Sequence, residues 1–306
     1  MLGGFEFNKI FYPKLPFEIV YATDIDKKAL LTHKANFDTA QLVCKDICDT
    51  DSDEIPDHNV LVGGFPCQSF STVNPTKDPF DDRANLYKQM VRIAKDKQPE
   101  ICIAENVKGL MTLHGGSIFK RVVDAFNEAG YNTYYRLVNS ADYGVPQKRE
   151  RMIMVCVRKD LNVDFVFPEA QYVGKWVPLS VAVPKLAIDE KKYYFSERAV
   201  QGMKNAKKNM KRGLAQNLDE PCLTVTSHLA KVSLNSRDPV LLVDPQKELY
   251  RRFTPREAAR IQSFPDTFVF AGSEADAYRQ IGNAIPPVMF WNISNAVANL
   301  LNELQK

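Results

Sequence analysis

The sequence contains no apolar run near the roughly 18 residues that a membrane-spanning helix requires, and Met1 to Lys9 lacks the basic and apolar regions of a signal peptide. Those two absences predict a cytoplasmic protein with no membrane partner. Histidine is scarce, with 4 dispersed residues, and the 6 cysteines (Cys44, Cys48, Cys67, Cys102, Cys156 and Cys222) are scattered along the chain. Such cysteines, several of them in strand-like stretches, read as reduced thiols and not as a disulfide framework. Cys44 and Cys48 have no second Cys or His pair beside them, so no metal is expected. Internal repeats and low-complexity tracts are also missing. What is present is the composition of a globular protein of 306 residues, 45% hydrophobic and 25% charged, long for one domain and comfortable for two. The net charge of +3 is localised: Lys159 to Glu248 holds 14 Lys plus Arg against 11 Asp plus Glu, and the rest of the chain balances at 26 against 26. A confined positive bias suits a protein that meets a polyanion on one face.

Periodicity predicts alternating strands and helices in the first half. Glu18 to Ala22 reads as a strand ending at Thr23-Asp24, and Lys27 to Asn36 as a helix with Ala29, Leu30 and Ala35 available to face inward. A short strand Gln41 to Val43 ends near Asp46-Ile47, and a third, Val60 to Val62, runs into a turn at Gly63, Gly64 and Pro66. Leu86 to Lys97 has helical spacing, and the strand Ile101 to Ala104 delivers Glu105 and Asn106 at its carboxyl end. Ser117 to Ala129 reads as a helix capped by Ser117 and stopped by Gly130, followed by paired strands at Tyr131 to Asn139 and Met152 to Val157. The fold class expected is α/β, a Rossmann-like and mostly parallel sheet. From about Lys159 the alternation fails, with Pro168, Pro178, Pro184 and the basic run Arg198 to Arg212. The expected organisation is a first, α/β domain at 1–159, a second, smaller domain at 160–250, and a segment at 251–306 that returns to the first domain. Helices are expected at Pro255 to Gln262 and at Pro287 to Leu304, the latter with a core-facing stripe from Phe290 to Leu304.

Cys67 stands on a loop at the carboxyl end of a strand, where open α/β sheets place ligands and reactive groups. A lone cysteine is more often a small buried hydrophobe. Here its neighbours are Pro, Gln and Ser, which favours a reactive thiol.

Pro66-Cys67-Gln68 with Ser69-Phe70-Ser71 is followed by Glu105-Asn106-Val107, Gln147-Lys148-Arg149-Glu150-Arg151, Arg252-Phe253-Thr254-Pro255-Arg256-Glu257 and Gly282-Asn283-Ala284. In content and order these five stretches resemble the DNA (cytosine-5)-methyltransferase family of bacterial or phage restriction-modification systems. The resemblance implies methyl transfer from S-adenosylmethionine to carbon 5 of a cytosine flipped out of duplex DNA. That carbon is a poor nucleophile until a group adds at carbon 6, and a thiolate both adds and leaves readily. Cys67 would be that group. Glu105 would hold or share a proton at ring nitrogen 3, although an isolated Glu more often caps a turn or pairs with an Arg. Alternation puts Arg149 and Arg151 on one face. Arg151 would bind the cytosine carbonyl oxygen and Arg149 the nucleophile loop and a nearby phosphate, the bland alternative being a solvated strand end.

The same resemblance implies a donor pocket. Asp24 would bind ribose hydroxyls, Ile25 would pack on adenine and Asp46 would take the adenine amine. Ile47, Pro66 and Leu86 would form apolar walls, Asn283 and Ala284 would approach from the far end of the chain, and Leu2 and Gly4 belong to a glycine-rich loop. An Asp after a strand is otherwise a turn residue. Expected DNA contacts are Gln68 and Ser69, the basic residues Lys204, Lys207, Lys208, Lys211 and Arg212, and Thr224 and Thr226 within Pro221 to Lys231. The basic run reads equally well as a solvated helix face, and phosphate contacts would set affinity, not specificity. A cognate restriction endonuclease is a further expected partner.

The opening of the chain departs from the family pattern, Asp-x-Phe-x-Gly-x-Gly-Gly after a central strand. Leu2-Gly3-Gly4-Phe5 matches only its tail, and no strand precedes it. That strand would lie between those ending at Asp24 and Gly63. The 306-residue chain is therefore expected to be poorly stable alone and to bind the donor weakly. Either the natural start lies some 10 to 20 residues upstream, roughly a strand and its lead-in, or a separate polypeptide supplies the strand, unless Ile10 to Tyr12 fills the gap. Two other functions compete: a catalytically incompetent DNA-binding remnant or part of a split enzyme, and the tRNA-methylating relative of the family, whose nucleophile loop continues differently after the Cys-Gln pair.

Overall fold

The computed structural model describes residues 2–65, 86–206, 215–231 and 239–305. The chain opens with a hairpin, β1 (Phe5–Phe7) antiparallel to β2 (Ile10–Tyr12). Its two turn residues, Asn8 and Lys9, both have positive φ, 48° and 62°, the backbone that matches the twist of a two-residue hairpin. Two parallel βαβ units follow. The first is β3 (Ile19–Thr23), α1 (Lys27–Asn36) and β4 (Thr39–Val43). The second is β5 (Val60–Gly64), α2 (Leu86–Lys97) and β6 (Ile101–Val107). After α3 (Ser117–Glu128) come β7 (Tyr131–Asn139), the two-residue β8 (Gln147–Lys148) and β9 (Glu150–Arg158).

The main sheet has the order β5-β6-β9-β7, with β9 antiparallel to both neighbours. It is a mixed sheet within the expected α/β class: parallel where helices connect the strands, antiparallel where β7 and β9 pair as anticipated. Successive residues of β6 and β9 point to opposite faces. On one face Ile101, Ile103, Ile153, Val155 and Val157 pack with Phe290, Ile293 and Val297 and with Phe7 and Tyr12 of the hairpin. On the other, Cys102, Ala104, Met152, Met154 and Cys156 pack against Met90 and Ala94 of α2 and Phe119, Val122 and Phe126 of α3. Helix α3 starts after Gly116, at φ 84°, and not on a Ser117 side-chain cap, which forms no capping hydrogen bond. The helix needs no such cap because its 119/122/126 stripe is fully engaged.

The unit β3–α1–β4 stands apart. Among the described residues it forms its own two-stranded sheet, and none of its apolar side chains enters the four apolar clusters of the molecule. Helix α1 buries Thr32, while Ala35, expected inward, is exposed. The reason is polar docking: the Thr32 hydroxyl donates to Gln280 Oε1 (2.6 Å) and accepts from the Ala271 amide (2.8 Å), and Asn36 exchanges hydrogen bonds with the Val269 backbone. The hairpin β1–β2 is anchored elsewhere. It packs on the last helix, where Trp291 stands edge-on to Tyr12 and donates to the Pro13 carbonyl.

Beyond β9, Phe165 and Phe167 still pack on the main sheet. The segment to 251 contains α4 (Glu197–Ala206), the two-residue β10 (Cys222–Leu223), parallel to β8, and the hairpin β11 (Leu241–Asp244) and β12 (Leu249–Arg251). Three helices end the fold: α5 (Pro255–Ile261), α6 (Glu274–Asn283) and α7 (Pro287–Leu304). Thr254 with Glu257 and Ser273 with Asp276 form reciprocal capping boxes at α5 and α6, each satisfying two otherwise orphaned amides. Leu179, Val225, Phe253, Ile261, Tyr278 and Ile281 form the core beneath them.

Candidate active site

The parallel pair β5–β6 brings Gly64 opposite Glu105, and the antiparallel pair β6–β9 brings Val107 opposite Arg151. Glu105 and Arg151 are thereby diagonal neighbours on one face at the carboxyl end of the parallel strands. Arg151 Nε lies 2.7 Å from Glu105 Oε1, and only 13% and 15% of the two side chains is exposed. Burial raises the Glu105 carboxyl above its ordinary range, with the charges of Arg151 and Arg149 pulling the other way. The bland reading of Glu105, a partner for an arginine, is also fulfilled by this pair.

Next to Glu105, buried Asn106 donates to the Phe65 carbonyl (2.8 Å) and accepts from the Val107 amide through Oδ1. The end of β5 is thus fixed one residue before Pro66. Cys67, Pro66, Gln68 and Ser69 lie outside the described residues, as do Lys207, Lys208, Lys211 and Arg212. Of the described thiols, Cys102 is pushed up to about 12 and Cys156 is also raised, both chiefly by burial. Neither is a candidate nucleophile.

Alternation along the 147–151 stretch separates its charges as expected. Lys148 and Glu150 point outward to Glu220 and Lys108. Arg149 is only 2% exposed, and its described hydrogen bonds go to three carbonyls: Val225 (3.0 Å), Gly282 (2.8 Å) and Ala284 (3.1 Å). Burial first, and the like charge of Arg151 second, draw its pKa down, with Glu105 opposing. A buried polar cluster surrounds it that the sequence did not single out: Gln147 donates to Gln262 Oε1 (2.7 Å) and accepts from the Val225 amide (2.6 Å). Gln147 and Asn106 stand within the family-like stretches with no role of their own, and nothing in the sequence marks Gln262.

Four of the expected donor residues, Asp24, Ile25, Asp46 and Ile47, lie just beyond the carboxyl ends of β3 and β4, and Pro66 lies outside the described residues. Asp24 accepts from the Asp26 amide and Asp46 from the Cys48 amide, the turn role anticipated as the alternative. Both remain exposed, and Ile25 is 70% exposed. Arg279 of α6 pairs with Asp26 (2.9 Å), bringing the helix that ends at Asn283 beside this turn. Arg92 of α2 donates to the Ile47 and Thr50 carbonyls, and Leu86 packs with the α2 core. Exposed carboxylates beside an uncovered apolar side chain fit the nucleoside half of an adenosyl donor. The glycine loop does not fit as well: the Gly4 amide is spent on the Tyr12 carbonyl (2.7 Å), and Leu2 accepts from the Leu15 amide.

Of the expected DNA contacts, Lys204 pairs with Glu248 and the Thr224 hydroxyl donates to the Lys148 carbonyl (2.9 Å), while the Thr226 hydroxyl accepts from the His228 amide (3.1 Å). Among the described residues there is no cluster of His, Cys, Asp and Glu able to hold a metal ion, and no helix is long and apolar enough to cross a membrane.

Comparison with known proteins gives this geometry a context. Residues 2–299 match the model of the C-5 cytosine-specific DNA methylase family. The Type II methyltransferase M.FnuDI of Fusobacterium nucleatum is 33% identical over 328 residues, spanning 99% of this chain and 94% of that protein. M.HhaI of Haemophilus parahaemolyticus is 29% identical over 310 residues, spanning 98% and 93%. Among solved structures, an E. coli DNA modification methyltransferase encoded within a prophage superposes with a TM-score of 0.72 at 23% identity, covering 94% of each chain. The Dnmt2 methyltransferase of S. pombe superposes with a TM-score of 0.73 at 19% identity, covering 95% of this chain and 93% of that one. These two likenesses establish a shared fold.

Proposed function

The chain belongs to the C-5 cytosine-specific DNA methylase family, as a DNA cytosine-5-methyltransferase of restriction-modification type, and from that premise we propose that it methylates a flipped-out cytosine in duplex DNA through a covalent bond to Cys67. The reading is supported best by the buried Glu105–Arg151 pair, which stands at the end of the strand beside the one leading to Cys67. S-adenosylmethionine, when bound, supplies an electrophilic methyl group on a positively charged sulfur. The work of this chain is to make carbon 5 of the base nucleophilic. The Cys67 thiolate adds to carbon 6, and the electron pair moves toward carbon 5. Glu105, whose carboxyl burial biases toward its protonated form, shares a proton with ring nitrogen 3 so that charge does not accumulate there. Arg151 holds Glu105 in place and faces the carbonyl oxygen of the same ring. After carbon 5 has taken the methyl group its proton leaves to a base, nitrogen 3 returns its proton to Glu105, the thiolate departs from carbon 6, and the ring is restored.

Asp24, Ile25 and Asp46 would hold the nucleoside half of the donor, with Ile47, Leu86, Asn283 and Ala284 around them. DNA would meet the positively biased 160–250 segment through Lys204, Lys207, Lys208, Lys211 and Arg212 and the 221–231 stretch. A second reading, one part of a split enzyme, is favoured by one observation: among the described residues β3–β4 shares no hydrogen-bonded ladder with the main sheet. In that reading a strand of a second polypeptide joins β3 to β5.

The test uses DNA containing 5-fluorocytosine with the methyl donor. Fluorine cannot leave carbon 5 as a proton does, so Cys67 should be trapped on the base and recovered in a single peptide. A trapped peptide carrying a different cysteine would overturn the assignment. Cys67→Ala should abolish methyl transfer and keep DNA affinity within about threefold, since the thiol makes no phosphate contact.

A further inference from the structure

Buried amide side chains are costly unless both ends are bonded. Gln262 is fully buried, and both ends of its amide are used. Nε2 donates to the Ile281 carbonyl (2.7 Å) and reaches Ala284 O (3.3 Å), while Oε1 accepts from Gln147 Nε2 (2.7 Å). Gln147, equally buried, accepts in turn from the Val225 amide (2.6 Å). One directed chain of hydrogen bonds therefore runs from Val225 N–H through two side-chain amides to the last turn of α6. Arg149 makes a second route between the same ends, from the Val225 carbonyl to the carbonyls of Gly282 and Ala284. Both polar backbone groups of Val225 are tied to the α6 terminus. No slack exists between the two segments: a Cβ built on Gly282 would lie 2.2 Å from Ser227 N and 2.3 Å from the Thr226 carbonyl carbon.

We infer that Gln262, acting through Gln147, is a positioning residue that couples the 222–227 segment to the 281–284 turn, so that a ligand ordering one of them orders the other. The inference rests on the proposed reading of Thr224 and Thr226 as DNA-facing and of Asn283 and Ala284 as donor-facing. Under that reading the pair of amides makes donor and DNA binding mutually dependent. A chain of amides transmits orientation in a way that packing alone does not, since reversing or removing one link leaves the next donor facing nothing.

The experiment replaces Gln262 by Met, which keeps length and volume but carries no hydrogen-bonding amide, and reads amide hydrogen exchange of the intact chain. Exchange should quicken at least tenfold in 223–227, which the described hydrogen bonds of Gln262 reach only through Gln147, as well as in 281–284, and stay unchanged in β9 and α3. Gln147→Met cuts the same chain one link earlier and should give the same pattern, the double variant adding nothing further. It also serves if Gln262→Met does not fold. Quickening confined to 281–284 would overturn the inference. The second readout is the affinity for sheared bacterial chromosomal DNA with and without S-adenosylhomocysteine. The ratio should differ from one in the unaltered chain and fall to within twofold of one in Gln262→Met, with each separate affinity kept within threefold. Separate affinities that fall together while the ratio persists would reduce Gln262 to a structural role and refute the coupling. If the unaltered chain shows no ratio while the exchange pattern holds, the failure belongs to the functional reading of the two ends and not to the link between them.

Discussion

A β-strand inserted between β3 and β5 should stabilise the chain and tighten its hold on the donor. Strands β3 and β5 each carry one unpaired edge among the described residues, and parallel strands are normally covered on both faces. Here Val62 of β5 is 37% exposed, and every residue of β3 is only half-buried. A strand between them would bury about four apolar side chains at roughly 1.5–3 kcal/mol each, a gross gain of about 6–12 kcal/mol against a domain stability of about 5–15 kcal/mol. Ordering it costs about 1–2 kcal/mol per residue. A net gain of even about 2–3 kcal/mol should raise the melting midpoint by roughly 4–12 °C. Scanning calorimetry of the 306-residue chain and of a version lengthened by a Val/Ile-rich strand would measure that shift, and titration calorimetry with S-adenosylhomocysteine would show whether binding tightens. Tight binding and one sharp transition in the unlengthened chain would refute the reasoning. The hairpin strand β2 is not a substitute, because it pairs with β1 and packs toward Trp291.

Other outcomes follow from single groups. Burial raises the Glu105 carboxyl, which costs stability where the unfolded chain would ionise it. The penalty is absent below the ordinary carboxylate range and develops as pH rises through it, so Glu105→Gln should gain on the parent as pH rises above about 4 in urea melts; a constant difference would contradict this. Arg251 is fully buried and bonds both oxygens of Glu257 at 2.7 Å, so Glu257→Ala alone should cost about 3–5 kcal/mol, whereas replacing both partners by apolar residues should cost far less in the same assay. Neutralising Lys207, Lys208 and Lys211 should weaken DNA binding on all sequences alike and flatten the slope of its salt dependence by up to about 0.9 for each phosphate no longer neutralised; a change at one cognate base would mean that they read sequence. Exchanging residues 160–250 for those of a relative with a different target should move the methylated site, and methylation at the original site would disprove that domain boundary.

What the sequence discloses is what repeats locally. The apolar periods of α3, α7, β6 and β9 survive folding because each buries a continuous face. The hairpin is not legible because Asn8 and Lys9 adopt a backbone usually announced by glycine. Helix α6 is hard to see although Ser273 and Asp276 spell its capping box, since its buried stripe is short. Glu105 and Arg151 are legible as candidates through the family resemblance, but their distance depends on the register of β6 against β9. Gln262 cannot be read at all: its partner Gln147 lies 115 residues away, and polarity by itself argues for the surface.

The clasp of the opening hairpin on α7 has a consequence for how the protein is made. Trp291 donates to the carbonyl of Pro13, 278 residues earlier. At about 5–20 residues per second, a ribosome needs roughly 14–56 s to synthesise that interval. Throughout it Phe5, Phe7 and Tyr12 have no α7 to rest on, and the face of β6 that carries Ile101 and Ile103 waits as well. The nascent chain therefore presents an apolar surface to solvent for most of its synthesis. Its yield should depend on chaperones that hold emerging chains, and ribosome-bound fragments ending before Pro287 should be protease-sensitive in residues 2–15 while the released protein is protected there.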